Sequence, residues 1–323
     1  MHSYIGITMG DPAGVGPEVI LKALDSNNEF KSKYIVFGST NLLKYYRKFL
    51  KIKKDIIEIN DIEEYKDGYI NVINVYDLNI NNLNIGMVSP QCGDAAFKYV
   101  ERAINSALNH EIDAVVTAPL NKEALHLGGH NFDGHTEIFA KLTKTNKYAM
   151  MLIGGPLKVI HVSTHTSLKN ACDRVKKERV LDVIHLAYDI LKKMKIDNPR
   201  IAVAGLNPHA GESGLFGMEE IKEIMPAIEE AKNLNINVDG PVPPDTVFIK
   251  AANGQYDIVV VMYHDQGHIP VKLLGFDKGV NMTVGLPIIR TSVDHGTAFD
   301  IAGKGIANEE SMLEAMKTAE LFL

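Results

Sequence analysis

The chain has 323 residues, 46% of them hydrophobic, and a formal net charge of −6. That length supports a large core and about two domains, and the acidic balance with scattered lysines and arginines leaves no basic stripe for nucleic acid; the densest basic run, "KFLKIKKD" (Lys48–Asp55), reads as a solvated surface. Two distant cysteines, Cys92 and Cys172, exclude a disulfide framework or a cysteine zinc site, and with no membrane-length apolar run and no signal-peptide build in "MHSYIGITMGD" they lead us to expect a cytoplasmic protein without a membrane partner.

In chain order, short apolar runs stop abruptly at polar or glycine-bearing loops: "YIGITMG" (4–10), "YIVFG" (34–38), "DAVVTAP" (113–119), "AMMLIGG" (149–155), "KVIHVSTH" (158–165), "RIAVAGLNPH" (200–209) and "DIVVVMYHD" (257–265). These predict buried strands. Helix-period segments lie between them: "GPEVILKAL", "AAFKYVERAINSAL", "ERVLDVIHLAYDILKKM" and "MEEIKEIMPAIEEAKNL". The alternation predicts an α/β fold with a largely parallel sheet. The Asn-rich stretch Tyr76–Asp94 predicts an irregular connection.

Ligands gather at the carboxyl ends of strands in such folds. Three predicted strands end at a histidine: His165 in "HVSTHTS", His209 in "GLNPHAGESG" and His264 in "MYHDQGH". Three imidazoles placed alike can share a divalent metal, or each can be an ordinary hydrogen-bonded loop residue. His161 reads as core or edge, and His2, His110 and His185 as surface or helix residues. In "FDGHTEIFAKLT", His135 and Thr136 fall at a helix start, where amides and a hydroxyl suit an anion; the plainer reading is N-capping by Thr136. Lys272, Asn281 and Arg290 follow in sequence that reads as loop-rich, with groups suited to phosphate or carboxylate. "GDPAGVGPE" carries Gly14 and Gly16 but has Val19 where a dinucleotide fingerprint needs its third glycine. Near the end, "SVDHGTAFDIAGKGIAN" (292–308) is a long small-residue loop of the kind that lets backbone approach something closely.

Together "MGDPAGVGPE", "TAPLNKEAL", "FDGHTE", "STHTSL", "GLNPHAGESGLFGMEE", "GPVPPDTVF", "YHDQG" and "GVNMTVGLPIIRTSVDHGTAFDIAGKG" resemble the 4-hydroxythreonine-4-phosphate dehydrogenase (PdxA) family over essentially the whole length. The resemblance implies the fold of isocitrate and isopropylmalate dehydrogenases: two α/β domains with a cleft between them, in a homodimer. A cofactor-side domain is expected over 1–130 and 280–323, and a substrate, metal and dimerisation domain over 131–279. It implies that His165, His209 and His264 bind one divalent cation (zinc, magnesium, manganese or cobalt) at the subunit interface. It implies that His135, Thr136, Lys272, Asn281 and Arg290 bind a phosphorylated substrate. It implies that Asp294, His295, Gly296 and Asp300 lie in the stretch that holds the adenosine half of NAD, with Asp300 on the ribose hydroxyls and against NADP.

The implied reaction oxidises the C3 hydroxyl of a 4-phosphorylated four-carbon acid with NAD and then decarboxylates the β-keto acid, with Lys272 or Asp245 handling the proton. "YHDQGHIPVKLLGF" and "STHTSLKNACDRVKKERVLDVI" look more like the subgroup acting on 4-phospho-D-threonate and 4-phospho-D-erythronate to give dihydroxyacetone phosphate than the founding enzyme of pyridoxal phosphate biosynthesis, which acts on 4-hydroxythreonine phosphate. A metal-dependent phosphate-ester hydrolase is the rival from another class; it leaves the glycine loop without a purpose.

Overall fold

The computed structural model describes residues 3–26, 30–275 and 278–323; His2 lies outside them. Each of the seven predicted runs is a strand, because each is an uninterrupted apolar segment that can be covered on both faces. Among the described residues the strands are β1 Tyr4–Thr8, β2 Lys33–Gly38, β3 Ile56–Glu58, β4 Ile70–Asn74, β5 Ala114–Thr117, β6 Ala149–Gly154, β7 Leu157–His161, β8 Ile201–Ala204, β9 Val238–Val242, β10 Ile258–Val261, β11 Val280–Val284 and β12 Ile289–Val293. The helices are α1 Gly16–Asp25, α2 Thr40–Leu50, α3 Pro90–Leu108, α4 Lys122–Leu127, α5 His135–Leu142, α6 Leu168–Arg174, α7 Lys177–Lys193, α8 Met225–Asn233, α9 Pro244–Ala252, α10 His264–Gly275 and α11 Glu310–Glu320. The architecture is α/β, as expected. No helix among the described residues is long and apolar enough to cross a membrane.

Two units divide the chain. Unit 1 comprises 1–145 and 286–323. Its strands run β3-β4-β2-β1-β5-β12, all parallel. The inner face of α3 (Val100, Ile104) packs with Phe37, Val115 and Phe139 into its core. A Cβ on Gly93 of α3 would sit 1.8 Å from the Ala124 carbonyl oxygen, so α3 and α4 meet backbone to backbone. Helix α3 starts at Pro90, before the predicted Ala95, because proline needs no N–H partner in a first turn.

Unit 2 spans 146–285 and orders its strands β11-β6-β7-β10-β8-β9. Strands β7, β10, β8 and β9 are parallel, whereas β6 is antiparallel to both β11 and β7. Leu152, Val159, Ala202, Val259 and Val271 build its core. The division falls at 145/146 and 285/286 rather than at 130/131 and 279/280. Ile138 and Phe139 of α5 are buried in unit 1's core, which keeps His135 and Thr136 there, and β11 pairs with β6, which takes Asn281 into unit 2. The single helix predicted from Met218 is a π-helical turn, Glu220–Ile224, followed by α8, with Pro226 in its first turn. Pro226 has no N–H and its ring crowds the carbonyl one turn back, and here the helix departs from regular α geometry in the turn before it.

Candidate functional site

Strands β7, β10 and β8 are parallel neighbours, so their carboxyl ends share one edge of unit 2. His165, His264 and His209 follow those three ends. The rings of His165 and His264 lie 5.7 Å apart. His264 opens α10, and its Nδ1 lies 2.7 Å from Asp265 Oδ1. With that N–H given to the carboxylate, Nε2 is the ring nitrogen that carries the lone pair. His268, one turn on and buried, stacks on His264 at 3.6 Å and lies 4.9 Å from the buried His161 ring. His161 donates from Nδ1 to the Met150 carbonyl at 3.0 Å, and burial pushes its pKa down to about 3, so it is a neutral core residue, as the sequence suggests.

His209 stands apart, its ring 6.1 Å from Phe216. Among the described residues of one chain, no three histidine, cysteine or acidic side chains come together closely enough to hold an ion. The donor chemistry fits a borderline divalent metal, but one chain leaves the set open. Large apolar side chains on the segments that carry these histidines are exposed: Leu215 is 72% exposed and Leu273 78%, with Leu168, Phe216 and Ile269 also exposed.

His209 sits in an unusual turn. His209 (φ 53°), Ala210 (54°), Gly211 (80°), Glu212 (43°) and Ser213 (57°) form a left-handed run in which only one residue is glycine. Each residue bearing a Cβ in that conformation costs roughly 1–2 kcal/mol. Such strain persists only where the surroundings over-determine it.

Lys272 and Asn281 do not lie in loops. Lys272 is in the last turn of α10, two turns beyond His264 and about 12 Å along the axis at 1.5 Å per residue. Asn281 lies on β11 opposite Leu152; its amide donates to Met150 Sδ at 3.2 Å, and its Oδ1 is buried without a hydrogen-bond partner. That acceptor is available to a polar ligand. Asp245 is exposed in the first turn of α9, where the helix dipole favours a carboxylate.

In unit 1, Arg290 lies on β12 rather than in a loop, 2% exposed. Its Nη2 donates to Thr117 Oγ1 at 2.8 Å, and its guanidinium carbon lies 5.6 Å from the Phe139 ring centre. Burial lowers its pKa to about 9 while Glu137 opposes the fall, so it remains a cation at neutral pH. Helix α5 starts at His135, as predicted. Its cap position is Gly134 and no side chain caps it, so Thr136 is not the cap. His135 Nε2 is buried without a partner. Burial, then the nearby Arg290 charge, holds its pKa well below the usual histidine value. A neutral imidazole, a buried guanidinium and a helix start suit an anionic group.

The glycine loop leaves β12 and is held against α1. Gly303 N donates to Glu18 Oε1 at 2.6 Å, and Lys22 Nζ donates to the carbonyls of Gly305 and Ala307 at 2.9 and 2.6 Å. Gly14 serves this packing, since a Cβ there would come 3.0 Å from the Thr297 oxygen; at Gly16 a Cβ would come 2.2 Å from the Met9 oxygen, so Gly16 lets the start of α1 lie against the chain leaving β1. At Gly296 a Cβ would meet nothing within 4 Å, so open space lies over it. His295 Nδ1 lies 2.9 Å from the Gly296 oxygen, and its Nε2 is buried and unpartnered. Asp294 N donates to Ser311 Oγ at 3.3 Å. The Asp300 side chain is exposed.

A family profile described as pyridoxal phosphate biosynthetic protein PdxA matches residues 30–319. The chain belongs to the PdxA family. It is 51% identical over 318 residues to the D-threonate 4-phosphate dehydrogenase of Salmonella typhimurium, covering 98% of this chain and 97% of that one. It is 49% identical over 325 residues to the enzyme of the same name from Pectobacterium atrosepticum, covering 99% of both. A crystal structure of 4-hydroxythreonine-4-phosphate dehydrogenase from Klebsiella pneumoniae superimposes with a TM-score of 0.93 at 47% identity, over 100% of this chain and 98% of that one. This PdxA-family chain is therefore an oxidoreductase, a dehydrogenase acting on CH–OH.

Residue by residue, His165, His209 and His264 follow the carboxyl ends of three strands of unit 2, and Lys272, Asn281 and Asp245 lie elsewhere in the same unit. His135, Thr136, Arg290 and the glycine loop lie in unit 1. Three further residues escaped the sequence reading. His268 was signalled by its four-residue spacing from His264. Gln266 and Glu220 carried no signal, because a polar side chain in a predicted loop or helix is solvated by default.

Proposed function

We propose that this chain oxidises the C3 hydroxyl of a 4-phosphorylated four-carbon acid and that the resulting β-keto acid loses CO2. The substrate we favour is 4-phospho-D-threonate or 4-phospho-D-erythronate, giving dihydroxyacetone phosphate. Full-length identity of about half to chains named D-threonate 4-phosphate dehydrogenase carries the reading. The name of the Klebsiella pneumoniae structure favours a second, 4-hydroxythreonine phosphate, which has an amine at C2 in place of the hydroxyl.

In this proposal NAD accepts the hydride, and a divalent cation held by His165, His209 and His264 supplies Lewis-acid polarisation at the C3 oxygen. The split donor set and the exposed apolar side chains beside it support a second copy of the chain completing the site, in a homodimer. Arg290, His135 and the α5 start bind the phosphate. Arg290 supplies the fixed charge, and the neutral His135 supplies a donor without adding to the repulsion between cations. Asn281 accepts from a substrate hydroxyl through its unpartnered Oδ1. Lys272 binds substrate and takes up the proton; Asp245 is the alternative for that proton. The space over Gly296 receives the adenosine end of the cofactor, with Asp300 accepting from the ribose hydroxyls and repelling a 2′-phosphate.

The test measures NADH appearance with purified protein, NAD and each of the two substrates. Faster turnover of 4-phospho-D-threonate supports the proposal, and turnover of 4-hydroxythreonine phosphate alone replaces it with the second reading. Arg290→Ala should lower kcat/KM about ten- to a hundredfold on the phosphorylated substrate, the worth of one charge-assisted contact at about 1.5–3 kcal/mol, and far less on its dephosphorylated form. Equal losses on both would assign Arg290 to the carboxylate or the fold.

A further inference from the structure

Strand β8 ends at Ala204, and the next nine residues reach Ser213 through the left-handed run that carries His209. The run closes on backbone bonds of its own, Ala210 N to the Asn207 carbonyl at 3.1 Å and Phe216 N to the Gly211 carbonyl at 3.2 Å. The segment that leads into it, Leu206 and Asn207, is held by a carboxylate from the following π-helical turn. Glu220 is 1% exposed. Its Oε1 accepts from the amides of Leu206 at 2.8 Å and Asn207 at 2.7 Å, and its Oε2 accepts from Asn207 Nδ2 at 2.9 Å. Asn207 Nδ2 also donates to Glu219 Oε2 at 2.8 Å.

Two glycines admit this carboxylate. A Cβ on Gly211 would sit 2.7 Å from Glu220 Oε2, and one on Gly205 would sit 3.2 Å from Oε1. A second buried group joins this turn to its neighbour: Gln266 Nε2 donates to the Gly205 carbonyl at 2.8 Å, and Gln266 Oε1 accepts from Met262 N at 2.7 Å. Gln266 stands two residues after His264. The exit of β8 and the exit of β10 are thus tied by one side chain, and the β8 exit is pinned from behind by Glu220.

We propose that Glu220 is a positioning residue for His209, and that it acts with Gln266 to fix the turn carrying His209 against the exit of β10 before any ion arrives. The proposal rests on the reading of His209 as a metal ligand. A buried carboxylate with both oxygens engaged by one turn, placed behind a strained run that ends in solvent, serves the geometry of that turn. Fixing a ligand in advance removes the ordering cost from the binding step, and loss of such a supporting partner typically weakens metal affinity about 10- to 100-fold.

The experiment titrates purified full-length apoprotein with zinc against a chromophoric chelator, for wild type, His209→Ala, Glu220→Ala and Glu220→Gln. Glu220→Gln keeps the shape and one acceptor but can turn an amide toward Asn207 Nδ2, so it covers the case in which the alanine variant does not fold. The expected result is a zinc Kd raised roughly 10- to 100-fold in both Glu220 variants. Their KM for NAD should be unchanged, and their rate should recover when metal is added in excess. A general loss of structure would not recover with metal. If His209→Ala weakens zinc binding but a folded Glu220 variant binds as wild type does, the positioning role is overturned while the ligand reading stands. If His209→Ala itself leaves the Kd unchanged, the ligand reading fails, and the role of Glu220 fails with it.

Discussion

The turn that carries His209 and the glycine loop that carries Asp300 are each gripped by a buried glutamate, and the grips differ in kind. Glu220 in unit 2 has both oxygens engaged by Leu206 and Asn207, the segment that leads into a run with four Cβ-bearing residues in left-handed conformation. Glu18 in unit 1 takes one amide, Gly303 N, and its Oε2 is buried without a hydrogen-bond partner. In the glycine loop the positive φ angles fall mainly on glycine, at Gly303 (76°) and Gly305 (73°), with Ala298 (44°) the exception. One loop is strained and follows a segment pinned by a single buried carboxylate; the other is relaxed and is held along its length by Glu18 and Lys22. The first suits a compact ion whose ligands must stand at fixed distances; the second suits an extended nucleotide that the backbone follows along its length.

The sharpest way to break this contrast is to remove the side chains the two loops present. His209→Ala, and likewise His165→Ala or His264→Ala, should lower bound metal and kcat/KM together by about a hundredfold or more, measured by metal analysis and NADH formation. Variants that keep full metal and full rate would leave the rigid turn without its proposed purpose. Asp300→Ala should act on the cofactor alone. It should raise KM for NAD about tenfold, the worth of one good hydrogen bond to a charged group, and narrow the preference over NADP, with metal content untouched. An unchanged NAD to NADP ratio would take Asp300 off the ribose.

The smallest effect on activity is expected at Asp11, buried in the connection between β1 and α1. Burial raises its pKa to about 6 from 3.8, against the opposing hydrogen bond from Ala13 N. Between about pH 4 and pH 6 the folded state therefore binds the extra proton, so stability falls as pH rises through that window and levels off above it. Asp11→Asn keeps an acceptor for Ala13 N and removes the charge. It should leave turnover near wild type, flatten the stability profile across that window, and stabilise the fold at pH 8 by no more than about 3 kcal/mol. Denaturant melts at pH 4.5 and pH 8 decide it, and a variant with an unflattened profile would show that Asp11 is not the titrating group.

The sequence made much of this legible, for physical reasons that also mark where it stopped. Strands covered on both faces read as apolar runs, so seven strands and the α/β class could be recognised. Strands β11 and β12 could not, because Asn281 and Arg290 interrupt "VNMTV" and "IRTSV" with polar groups that look like loop residues. The unit boundaries shifted because the periodicity of α5 announces a helix without saying which core receives Ile138 and Phe139. The three histidines were legible from their place after strand ends. The left-handed turn was not, since a run of positive φ normally announces itself by glycine or asparagine, and here Ala210, Glu212 and Ser213 adopt it under the hold of a residue ten positions away from Ala210.

The open histidine set has a thermodynamic corollary. If an ion is complete in its ligands only when two chains meet, metal binding and chain association are linked equilibria. Each must strengthen the other by the same factor, whichever occurs first. Dilution then acts as a demetallating agent and a chelator as a dissociating one. Specific activity would fall below a threshold protein concentration, and added metal would move that threshold downward.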